Sequence, residues 1–417
     1  MYKQYIRQAL QTLKQNPLVS IISIIGTALA ISFVMVIVML YQIRTANYRP
    51  EMNRDRTLHV ANIRSQSLSN DDTNNNMVSY RLLKDYLYQM ETPELVTAYG
   101  DLQESSLSTS AHKSYSRFFV KPTDANFWNF FDFELLDGRY YTHEEFQSGI
   151  PLAVISKKIS QILFQDISPV GYTLNINLKP HRVIGVVDDV SRAASVAYAD
   201  VWIPITSNRS SMLSANEDAT GPLEVCLLAR NAKDKKVIKE EFQQTIARFQ
   251  DTTPSFKVTG RLMDSHWSAL GRFWSPITFK DELLQAIVII LFLLLLPAIN
   301  LTGITMNNIR QRFSEIGIRK VFGASKAQLV WQILMENLVF TVIGAFIGYL
   351  LSFALINWGR NFLLSPDTEL TTEMLFRPFG FIAAVIFCLV MNILSAAIPA
   401  WRMAGKPIVK SIASHES

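Results

Sequence analysis

Cysteine is nearly absent from this chain of 417 residues, which contains only Cys226 and Cys388. Cys388 lies inside a long apolar run and Cys226 lies in a polar block far from it, so the two are not expected to pair. This excludes a disulfide framework as the source of stability. The polar block must instead rest on a hydrophobic core of its own.

The motifs of common enzyme chemistry are also missing. The Gly405-Lys406 pair is followed by Pro407 and lacks the upstream glycine of a nucleotide-binding P-loop. The histidines never have the paired spacing of a zinc-binding helix, and no Gly-x-Ser-x-Gly elbow occurs. Asp188-Asp189 follows an apolar strand and is interpreted as a turn rather than as an acid pair. The sequence therefore predicts no catalytic residue, no metal and no cofactor on this chain.

Charge is scarce as well. Charged residues make up 18% of the chain, hydrophobic residues make up 49%, and the mean hydropathy is +0.15, a balance too apolar for an ordinary soluble enzyme. About 24 helical residues extend roughly 36 Å, enough to cross a hydrocarbon core of about 30 Å. Apolar runs of that length occupy residues 18–42, 283–306, 332–358 and 378–401. The predicted fold class is an α-helical membrane protein with four transmembrane helices plus an α+β extracytoplasmic domain.

Lysine and arginine in the short loops predict the orientation in the membrane. They cluster before the first run, between the second and the third, and after the fourth. The positive-inside rule therefore places both termini and residues 307–331 in the cytosol, and residues 43–282 and 359–377 outside. This topology explains much of the net charge of +5. Since no basic face is interleaved with aromatic residues, a nucleic-acid partner is excluded.

The outer block has the pattern of mixed strands and helices. Runs rich in β-branched and aromatic residues predict strands at 57–63, 96–99, 115–120, 152–155, 172–176, 182–187, 201–205, 224–228 and 255–258. Two apolar stripes at helical spacing predict amphipathic helices that pack on a sheet, one formed by Leu82, Leu83, Tyr86, Leu87 and Met90, the other by Ile238, Phe242, Ile246 and Phe249. The polar run 70–76 is interpreted as a hydrophilic loop.

Small and polar residues within the apolar runs indicate helix packing. Gly344, Gly348 and Ser352 are spaced four apart, which allows another helix to approach closely. Two interpretations stay open, packing within one four-helix unit and packing at a dimer face. Pro297 and Asn300 interrupt the second run and predict a kink with an amide that needs a partner. Asp, Glu, Lys and Arg are absent from the depth of every run, which argues against a pathway for ions or protons.

A basic segment at residues 308–325 connects the second and third runs. It predicts a short amphipathic helix in the cytosol, whose apolar stripe consists of Ile309, Phe313 and Ile316. Gly323 suits a left-handed C-cap, and residues 325–328 fit a capping box that starts the next helix. A helix lying on anionic lipid is the alternative. Glu315 and the glycines favour a shaped contact with a protein.

The sequence EIGIRKVFGAS at 315–325 closely resembles the E-I-G-(I/V)-R-K-A-x-G-A signature of the MacB/FtsX-like permeases of ABC systems, with Val321 in place of the usual alanine. The resemblance covers nearly the whole chain. Residues 5–17 resemble the family's amphipathic N-terminal helix, and PAWR at 399–402 resembles its C-terminal ending. Further segments resemble the marker strands of its outer domain, namely 131–139, 153–156, 183–187 and 201–204.

This resemblance implies a division of the chain. Residues 1–16 would form a cytoplasmic amphipathic helix, 307–331 a cytoplasmic coupling helix, and 402–417 a cytoplasmic tail. The implied transmembrane helices are 17–42, 283–306, 332–358 and 378–401, with an outer loop at 359–377. The extracytoplasmic domain, 43–282, would contain a porter-like lobe at about 57–131 and 222–260 and an inserted β-rich lobe at about 132–221.

The resemblance also implies partners. The coupling helix would be seated on a cytosolic ABC ATPase through Arg312, Glu315, Ile316, Gly317, Arg319, Lys320, Gly323 and Ala324. ATP and Mg²⁺ would bind to that ATPase, which is expected to be a separate protein because the ATPase that efflux members fuse to their N-terminus is missing. The other implied partners are a second permease protomer, identical or different, the lipid bilayer, and a periplasmic adaptor or outer-membrane factor. The implied location is the inner membrane of a bacterium, with the large domain in the periplasm.

The function that the resemblance implies is transmission of ATP-driven movement to the outer domain, which would export or extract a substrate. The substrate would not cross the membrane through a pore. The alternative is an ATP-driven signalling element that controls a periplasmic partner without transport, as in the cell-division branch of the family. Residues 297–300 differ from the glycine-rich run of the efflux members, which leaves the substrate open.

Overall fold

The computed structural model describes residues 17–69, 72–109, 115–165, 167–208, 219–265 and 325–359, with single positions at 382, 386 and 390. The chain divides into two compact units. The outer unit comprises Arg44–Ser275 and Asp367–Leu370. The helical unit comprises Met1–Ile43, Pro276–Pro366 and Thr371–Ser417.

Helix α1 (Pro17–Thr45) is apolar almost throughout. Its segment Ile24–Thr45 is long and apolar enough to cross a membrane, since 22 residues of helix extend about 33 Å. Arg44 lies in the last turn, where a cation interacts favourably with the helix dipole. Residues 46–56, which we call the connector, join α1 to the first strand.

In the described part of the outer unit, the elements follow in this order: β1 (Thr57–Ser67), β2 (Thr73–Val78), α2 (Tyr80–Asp85), β3 (Leu95–Tyr99), β4 (Gln103–Ser108), β5 (Tyr115–Thr123), α3 (Phe127–Phe130), β6 (Leu135–Gly138), α4 (His143–Ser148), β7 (Leu152–Ser156), α5 (Lys157–Phe164), β8 (Thr173–Ile176), β9 (Lys179–Val187), β10 (Val201–Pro204), β11 (Thr220–Gly221), β12 (Glu224–Leu228), α6 (Asp234–Asp251) and β13 (Phe256–Asp264). Short 3-10 helices lie at Leu87–Gln89, between α2 and β3, and at Ile205–Asn208, directly after β10.

The first lobe is an antiparallel sheet in which β13, β1, β12 and β3 lie side by side in that order. Helix α2 lies between β1 and β3 in the chain, and α6 joins β12 to β13, which gives the β-α-β-β-α-β arrangement of ferredoxin-like folds. The helices bury Leu82 and Leu83 from α2, and Phe242 and Phe249 from α6. The helix predicted from Ile238, Phe242, Ile246 and Phe249 is confirmed, whereas the stripe from Leu82 to Met90 is α-helical only to Asp85 and continues as a 3-10 turn at Leu87–Gln89.

The second lobe is built by the chain between β3 and β12. Its strands β5, β4, β8, β9, β7 and β10 pair in a closed circle, which β10 completes by running parallel to β5. A second core packs these strands with α5 through Leu107, Ile155, Ile159 and Leu174. The circle begins at Gln103, so β4 and β5 pair in this lobe, whereas the predicted boundary at 131 assigns them to the porter-like lobe.

All nine predicted strands are present in the structure, with ends that differ by up to several residues. The apolar patterns do not predict β2, β4, β6 and β11, because β2 (TNNNMV) and β4 (QESSLS) are mostly polar and the other two are short. The interpretation of residues 70–76 as a loop is wrong for their second half, since residues 73–76 pair with β1 as part of β2. Backbone hydrogen bonds to β1 hold this strand while its asparagine side chains stay in water.

In the helical unit, α7 (Lys326–Trp358) begins directly after Ser325, where the sequence predicts a helix start. Its segment Thr341–Trp358 is long and apolar enough to cross a membrane. Large apolar side chains are exposed on both helices, among them Phe33 and Phe346, as expected of helices whose solvent is lipid. The predicted span 283–306 and most of 378–401 lie outside the described residues.

Candidate functional site

The residues predicted to couple the chain to an ATPase, at positions 312–324, lie outside the described residues, as do Pro297 and Asn300. The structure does describe Gly344, Gly348 and Ser352 on α7, the small residues predicted to pack against another helix, which we call the ridge. A Cβ atom at Gly348 would lie 2.6 Å from the carbonyl oxygen of Ala28, and one at Gly344 would lie 2.9 Å from Cβ of Thr27. The ridge therefore contacts α1 of the same chain. Ser352 is buried on the same helix, and its hydroxyl donates to the carbonyl of Tyr349 at 2.6 Å.

The connector carries a buried ion pair. Arg54 and Glu51 are each 5% exposed, and Nε of Arg54 lies 2.5 Å from Oε2 of Glu51. The guanidinium also donates to the Ala46 carbonyl at 3.0 Å and to the Tyr48 hydroxyl at 2.8 Å, and it stacks over the Tyr48 ring. Burial works to lower the pKa of Arg54, but Glu51 and Tyr48 together raise it by more, so the pKa lies above its ordinary value and the group stays charged. One arginine thus holds the connector in a fixed shape directly after α1.

The same two side chains also form hydrogen bonds to a loop that is far away in the sequence. Nη2 of Arg54 donates to the carbonyl of Ala193 at 3.1 Å. Oε1 of Glu51 accepts hydrogen bonds from the amides of Val196 and Ala197 at 2.9 and 3.0 Å. We call residues 193–197, which precede β10, the receiver loop. Because both charged groups of the pair bond to it, the connector and the receiver loop cannot separate without exposing a buried charge.

Two more buried side chains hold the receiver loop from the other side. Lys121 on β5 donates to the carbonyls of Ser195 and Val196. Trp202 on β10 donates from its indole nitrogen to the carbonyl of Ala197 at 3.0 Å. The receiver loop is therefore fixed both to the connector and to strands of the second lobe.

The end of β13 lies beside the start of β1, where Asp264 is the register partner of Leu58. Asp264 accepts hydrogen bonds from Lys239 at 2.7 Å and Lys235 at 3.0 Å, both on α6. Burial works to raise the pKa of Asp264, but these two ammonium groups bring it below its ordinary value. The strands connected to α1 and to the residues after β13 are thus paired with each other and anchored to α6.

A small recess opens beside the ion pair, and its lining includes Glu51, Arg54, His59, Phe131 and Ser265. Behind it His59 lies against Cys226, with 3.2 Å between Nδ1 and Sγ, and both side chains are buried in the sheet. Within the described ranges, no group of three or more His, Cys, Asp and Glu side chains converges in a way that could hold a metal ion. Hydrogen bonds connect the connector to the receiver loop, and we call these two segments together the joint.

Sequence reasoning did not find this joint. The available signal was Glu51-x-x-Arg54 directly after an apolar run, a spacing that allows an ion pair one turn apart. Its burial depends on the receiver loop, which is some 140 residues away in the chain and cannot be inferred from local pattern. Asp189 does lie in a loop after β9, as its interpretation as a turn predicts, and it accepts a hydrogen bond from the Lys158 amide at the start of α5.

Two family models match the chain. The model of the MacB-like periplasmic core domain matches residues 20–245, more than half of the chain, and the model of the FtsX-like permease C-terminal region matches residues 287–408. The chain belongs to the MacB/FtsX-like ABC transporter permeases. The resemblance stated from the EIGIRKVFGAS segment is thereby confirmed. In this permease, the outer unit that carries the joint is a periplasmic domain.

Curated relatives of this permease carry transport names. The chain is 26% identical over 249 residues to the uncharacterized ABC transporter permease YknZ of Bacillus subtilis (strain 168). The aligned region covers 58% of this chain and 60% of the relative. It is 26% identical over 256 residues to the pyoverdine export ATP-binding/permease protein PvdT of Pseudomonas savastanoi pv. phaseolicola (strain 1448A / Race 6), covering 61% and 36%. The chain thus spans less than two thirds of either relative's length.

Among solved structures, the periplasmic region of MacB from Actinobacillus actinomycetemcomitans matches 54% of this chain and 94% of its own, at 15% identity and a TM-score of 0.37.

Proposed function

We propose that this permease passes ATP-driven movement from a separate cytosolic ATPase to its periplasmic domain, and that this movement drives export or extraction of a substrate. The two family models support a permease with a periplasmic domain. The relatives include a protein named as an ABC transporter permease and one named as an export protein, which favours transport. No P-loop occurs in the sequence, so the nucleotide, with its Mg²⁺, is proposed to bind to the partner ATPase.

The observation that carries this proposal is the joint between the connector and the receiver loop. Glu51 and Arg54 both lie on the connector, and three hydrogen bonds from these buried charged groups to backbone groups of residues 193–197 link the connector to the receiver loop. Displacement of the connector therefore moves the receiver loop with it. Because the receiver loop is bonded to β5 and β10, that displacement reaches the second lobe of the periplasmic domain.

The proposed topology has four transmembrane helices, both termini in the cytosol and the bacterial inner membrane as location. The Lys and Arg clusters of the short loops support this orientation. The proposed working unit has two permease protomers, identical or different, with ATPases seated on the segment 312–324. A periplasmic adaptor or outer-membrane factor would complete an export path. The absence of charged residues from the depth of the predicted spans favours a substrate that is moved by the periplasmic domain rather than through a pore.

The test of coupling uses the full chain co-expressed with its ABC ATP-binding subunit and reconstituted in nanodiscs. Stimulation of ATP hydrolysis by the permease is measured for the Glu315→Ala and Arg319→Ala variants. Arg310→Ala, in the same loop but outside the signature, is the matched control. We expect both signature variants to lose most of the stimulation and the control to keep it. Equal stimulation in all three variants would contradict the proposed role of this segment.

A second measurement separates transport from signalling. An outer-membrane factor or adaptor that purifies with the assembled complex is expected for an exporter. A regulator of a cell-wall hydrolase in that place would instead support the signalling alternative, in which the same joint moves a partner protein and no substrate.

A further inference from the structure

Basic residues are concentrated at the start of α6. Within the ten positions 230–239 they are Arg230, Lys233, Lys235, Lys236 and Lys239. Lys235 and Lys239 both donate to the carboxylate of Asp264, so this group of three keeps one positive charge. The other three side chains are exposed, and we call Arg230, Lys233 and Lys236 the basic patch.

Few carboxylates oppose the basic patch. Asp234 is the acid within it. Glu240 lies 4.0 Å from Lys236, and the side chains of this pair are 63% and 87% exposed, so water screens their attraction. Glu241 is bonded elsewhere, since its carboxylate accepts from two backbone amides shortly before β3. Together with Asp264, residues 230–240 carry five positive and three negative charges, so this end of α6 is basic.

The fold itself does not use these exposed cations. The positive end of the helix dipole lies at the start of α6, where it disfavours cations in the first turn. Lys233, the residue before the helix, makes no side-chain cap. Oδ1 of Asn231 caps the helix by accepting from the amides of Lys233 and Asp234 at 2.9 and 3.3 Å. Within the described ranges, the side chains of Arg230 and Lys233 form no hydrogen bond or ion pair, so both are available to a ligand outside the chain.

The basic patch lies close to the end of α1, whose segment Ile24–Thr45 is long enough to cross a membrane. Soon after that segment, Asn47 donates from Nδ2 to Oδ1 of Asp55 at 2.8 Å, so the connector folds back towards its own beginning. Arg56 follows directly and donates to the carbonyl of Arg230 at 2.8 Å. Two hydrogen bonds thus link the chain just after α1 to the first residue of the basic patch.

An exposed apolar side chain lies beside these cations. Val237 is 50% exposed and follows Lys236 directly, one helical turn after Lys233. Residues three and four apart lie on one face of a helix, so the two lysines and the valine share a face. Lysine can lay its hydrocarbon stem along apolar groups while its ammonium stays in a polar layer. The face thus combines cations for phosphate with an apolar group, as helices at lipid interfaces do.

We propose that the basic patch binds the phosphate groups of anionic lipids at the outer surface of the membrane. The ammonium groups of Lys233 and Lys236 and the guanidinium of Arg230 pair with phosphates, while Val237 reaches towards the acyl chains. Because α6 also holds the end of β13 through Asp264, bound lipid steadies the strands that lead to the apolar runs. The proposal requires that α1 crosses the membrane, and it holds for a transporter and for a signalling element alike.

A lipid surface is favoured over an acidic protein by the position of the basic patch and by the number of its cations. Lipid surrounds a membrane-spanning helix at all times, and the basic patch is linked to the chain just after α1. The sequence between β13 and the predicted second span contains Trp267 and Trp274, and tryptophan is enriched at membrane–water interfaces. The five basic residues at 230–239 also fall in the range of about four to eight that is typical of anionic-lipid recognition.

The experiment places the photoreactive amino acid benzoylphenylalanine at position 237 of the full chain, in nanodiscs that contain phosphatidylglycerol and phosphatidylcholine. The matched control carries it at Gln244, an exposed position on the same face of α6 about two turns further from the basic patch. Adducts formed under ultraviolet light are identified by mass spectrometry. The measurement at position 237 is repeated with Lys233→Glu/Lys236→Glu. Lys257→Glu, at the opposite end of β13 from Asp264, is the control for charge.

We expect lipid adducts at position 237 that are missing at position 244. Phosphatidylglycerol should exceed its share of the bilayer by about threefold or more in these adducts, because the cations attract its charge. This excess should vanish in Lys233→Glu/Lys236→Glu, persist in Lys257→Glu, and shrink at high salt, where exposed charges are screened. Adducts with protein only, no adduct at position 237, lipid adducts without an excess of phosphatidylglycerol, or the same excess in Lys233→Glu/Lys236→Glu would overturn the proposal.

Discussion

The value of a charged residue in this permease depends on what its removal leaves behind. Arg54→Met would leave the Glu51 carboxylate buried without its cation, and we expect it to lower the free energy of unfolding of the periplasmic domain by about 3–5 kcal/mol. Arg49→Met is the matched control, because Arg49 and its partner Asp132 are 62% and 50% exposed and such pairs contribute at most about 1 kcal/mol. Pulse proteolysis of the full-length protein in urea measures both variants.

Adding Glu51→Gln to Arg54→Met should recover part of the loss. The glutamine is neutral, yet its carbonyl oxygen can still accept from the amides of Val196 and Ala197. If Arg49→Met and Arg54→Met cost the same, or if Glu51→Gln makes Arg54→Met worse, the buried pair is not what holds the receiver loop.

A buried acid gives the domain a pH dependence of unusual sign. Burial raises the pKa of Asp124 from 3.8 to about 6, against hydrogen bonds from Thr97, Tyr88 and the amides of Ala98 and Phe127. An acid whose pKa is higher in the folded state stabilises the fold below its unfolded pKa, and this contribution is lost as the pH rises through the folded pKa. We therefore expect Asp124 to make the domain less stable at pH 7.5 than at pH 4.5, by on the order of 2 kcal/mol.

The measurement compares the urea stability of the full-length protein at these two pH values with that of Asp124→Asn, which cannot titrate. The variant is expected to be less stable at pH 4.5, because its amide nitrogen meets groups that donate. Its stability should nevertheless change less between pH 4.5 and 7.5 in the direction given above. An identical pH dependence in both proteins would show that Asp124 does not titrate in this range.

At the scale of elements, the sequence predicts what depends on local pattern. The nine strands with β-branched or aromatic runs and the two helices with apolar stripes are all present, because burial imposes a period on the sequence. Strand β2 has no such period, since its side chains Thr73 to Asn76 are polar and exposed, and the strand is held by backbone pairing with β1 and by a hydrogen bond from Asn62 to Asn75. Polar strands of this kind depend on a neighbour that local sequence does not show.

In the candidate site too, local motifs can be predicted from the sequence and long-range contacts cannot. The ATPase-coupling segment is predicted from a motif and lies outside the described residues, so it stays a prediction. The connector and the receiver loop meet across about 140 residues of chain, and no local pattern at Glu51 indicates that Val196 will be its partner. For Gly344 and Gly348 the sequence leaves two interpretations open, and the structure places both residues against α1 of the same chain.

Enlarging a residue at this helix contact should force the helices apart. A Cβ atom at Gly348 would lie 2.6 Å from the Ala28 carbonyl oxygen, a backbone atom that cannot rotate away. We expect Gly348→Val to cost about 1–3 kcal/mol and to lower the melting temperature of the purified protein in detergent. Ala354→Val, at an exposed position of the same helix, is the control and should melt as the original protein does. Equal melting of the two variants would mean that α1 and α7 do not pack in this way.

At the scale of the whole molecule, β1 and β13, the first and last strands of the described periplasmic domain, connect it in sequence to apolar runs. The connector leads from α1 into β1, and β13, the register partner of β1, leads towards the second apolar run. A pull on either connection acts on paired strands, whose hydrogen bonds resist sliding. The first lobe is thereby expected to move as one body, while the receiver loop carries the displacement into the second lobe.

This arrangement predicts that a mutation in the connector can reduce the movement of the receiver loop without reducing ATP hydrolysis. In the permease assembled with its ATPase, hydrogen–deuterium exchange at the receiver loop, residues 193–197, should change when ATP and vanadate are added. In Glu51→Ala/Arg54→Met the hydrogen bonds from these two side chains to the receiver loop are lost, so this change should shrink several-fold while the rate of ATP hydrolysis stays close to the original. Arg49→Met, which breaks an exposed pair on the same connector, should leave both quantities unaltered. A receiver loop that still responds fully to nucleotide in the double variant would mean that movement enters the periplasmic domain by another route, with β13 and its Asp264 anchor on α6 as the next connection to test.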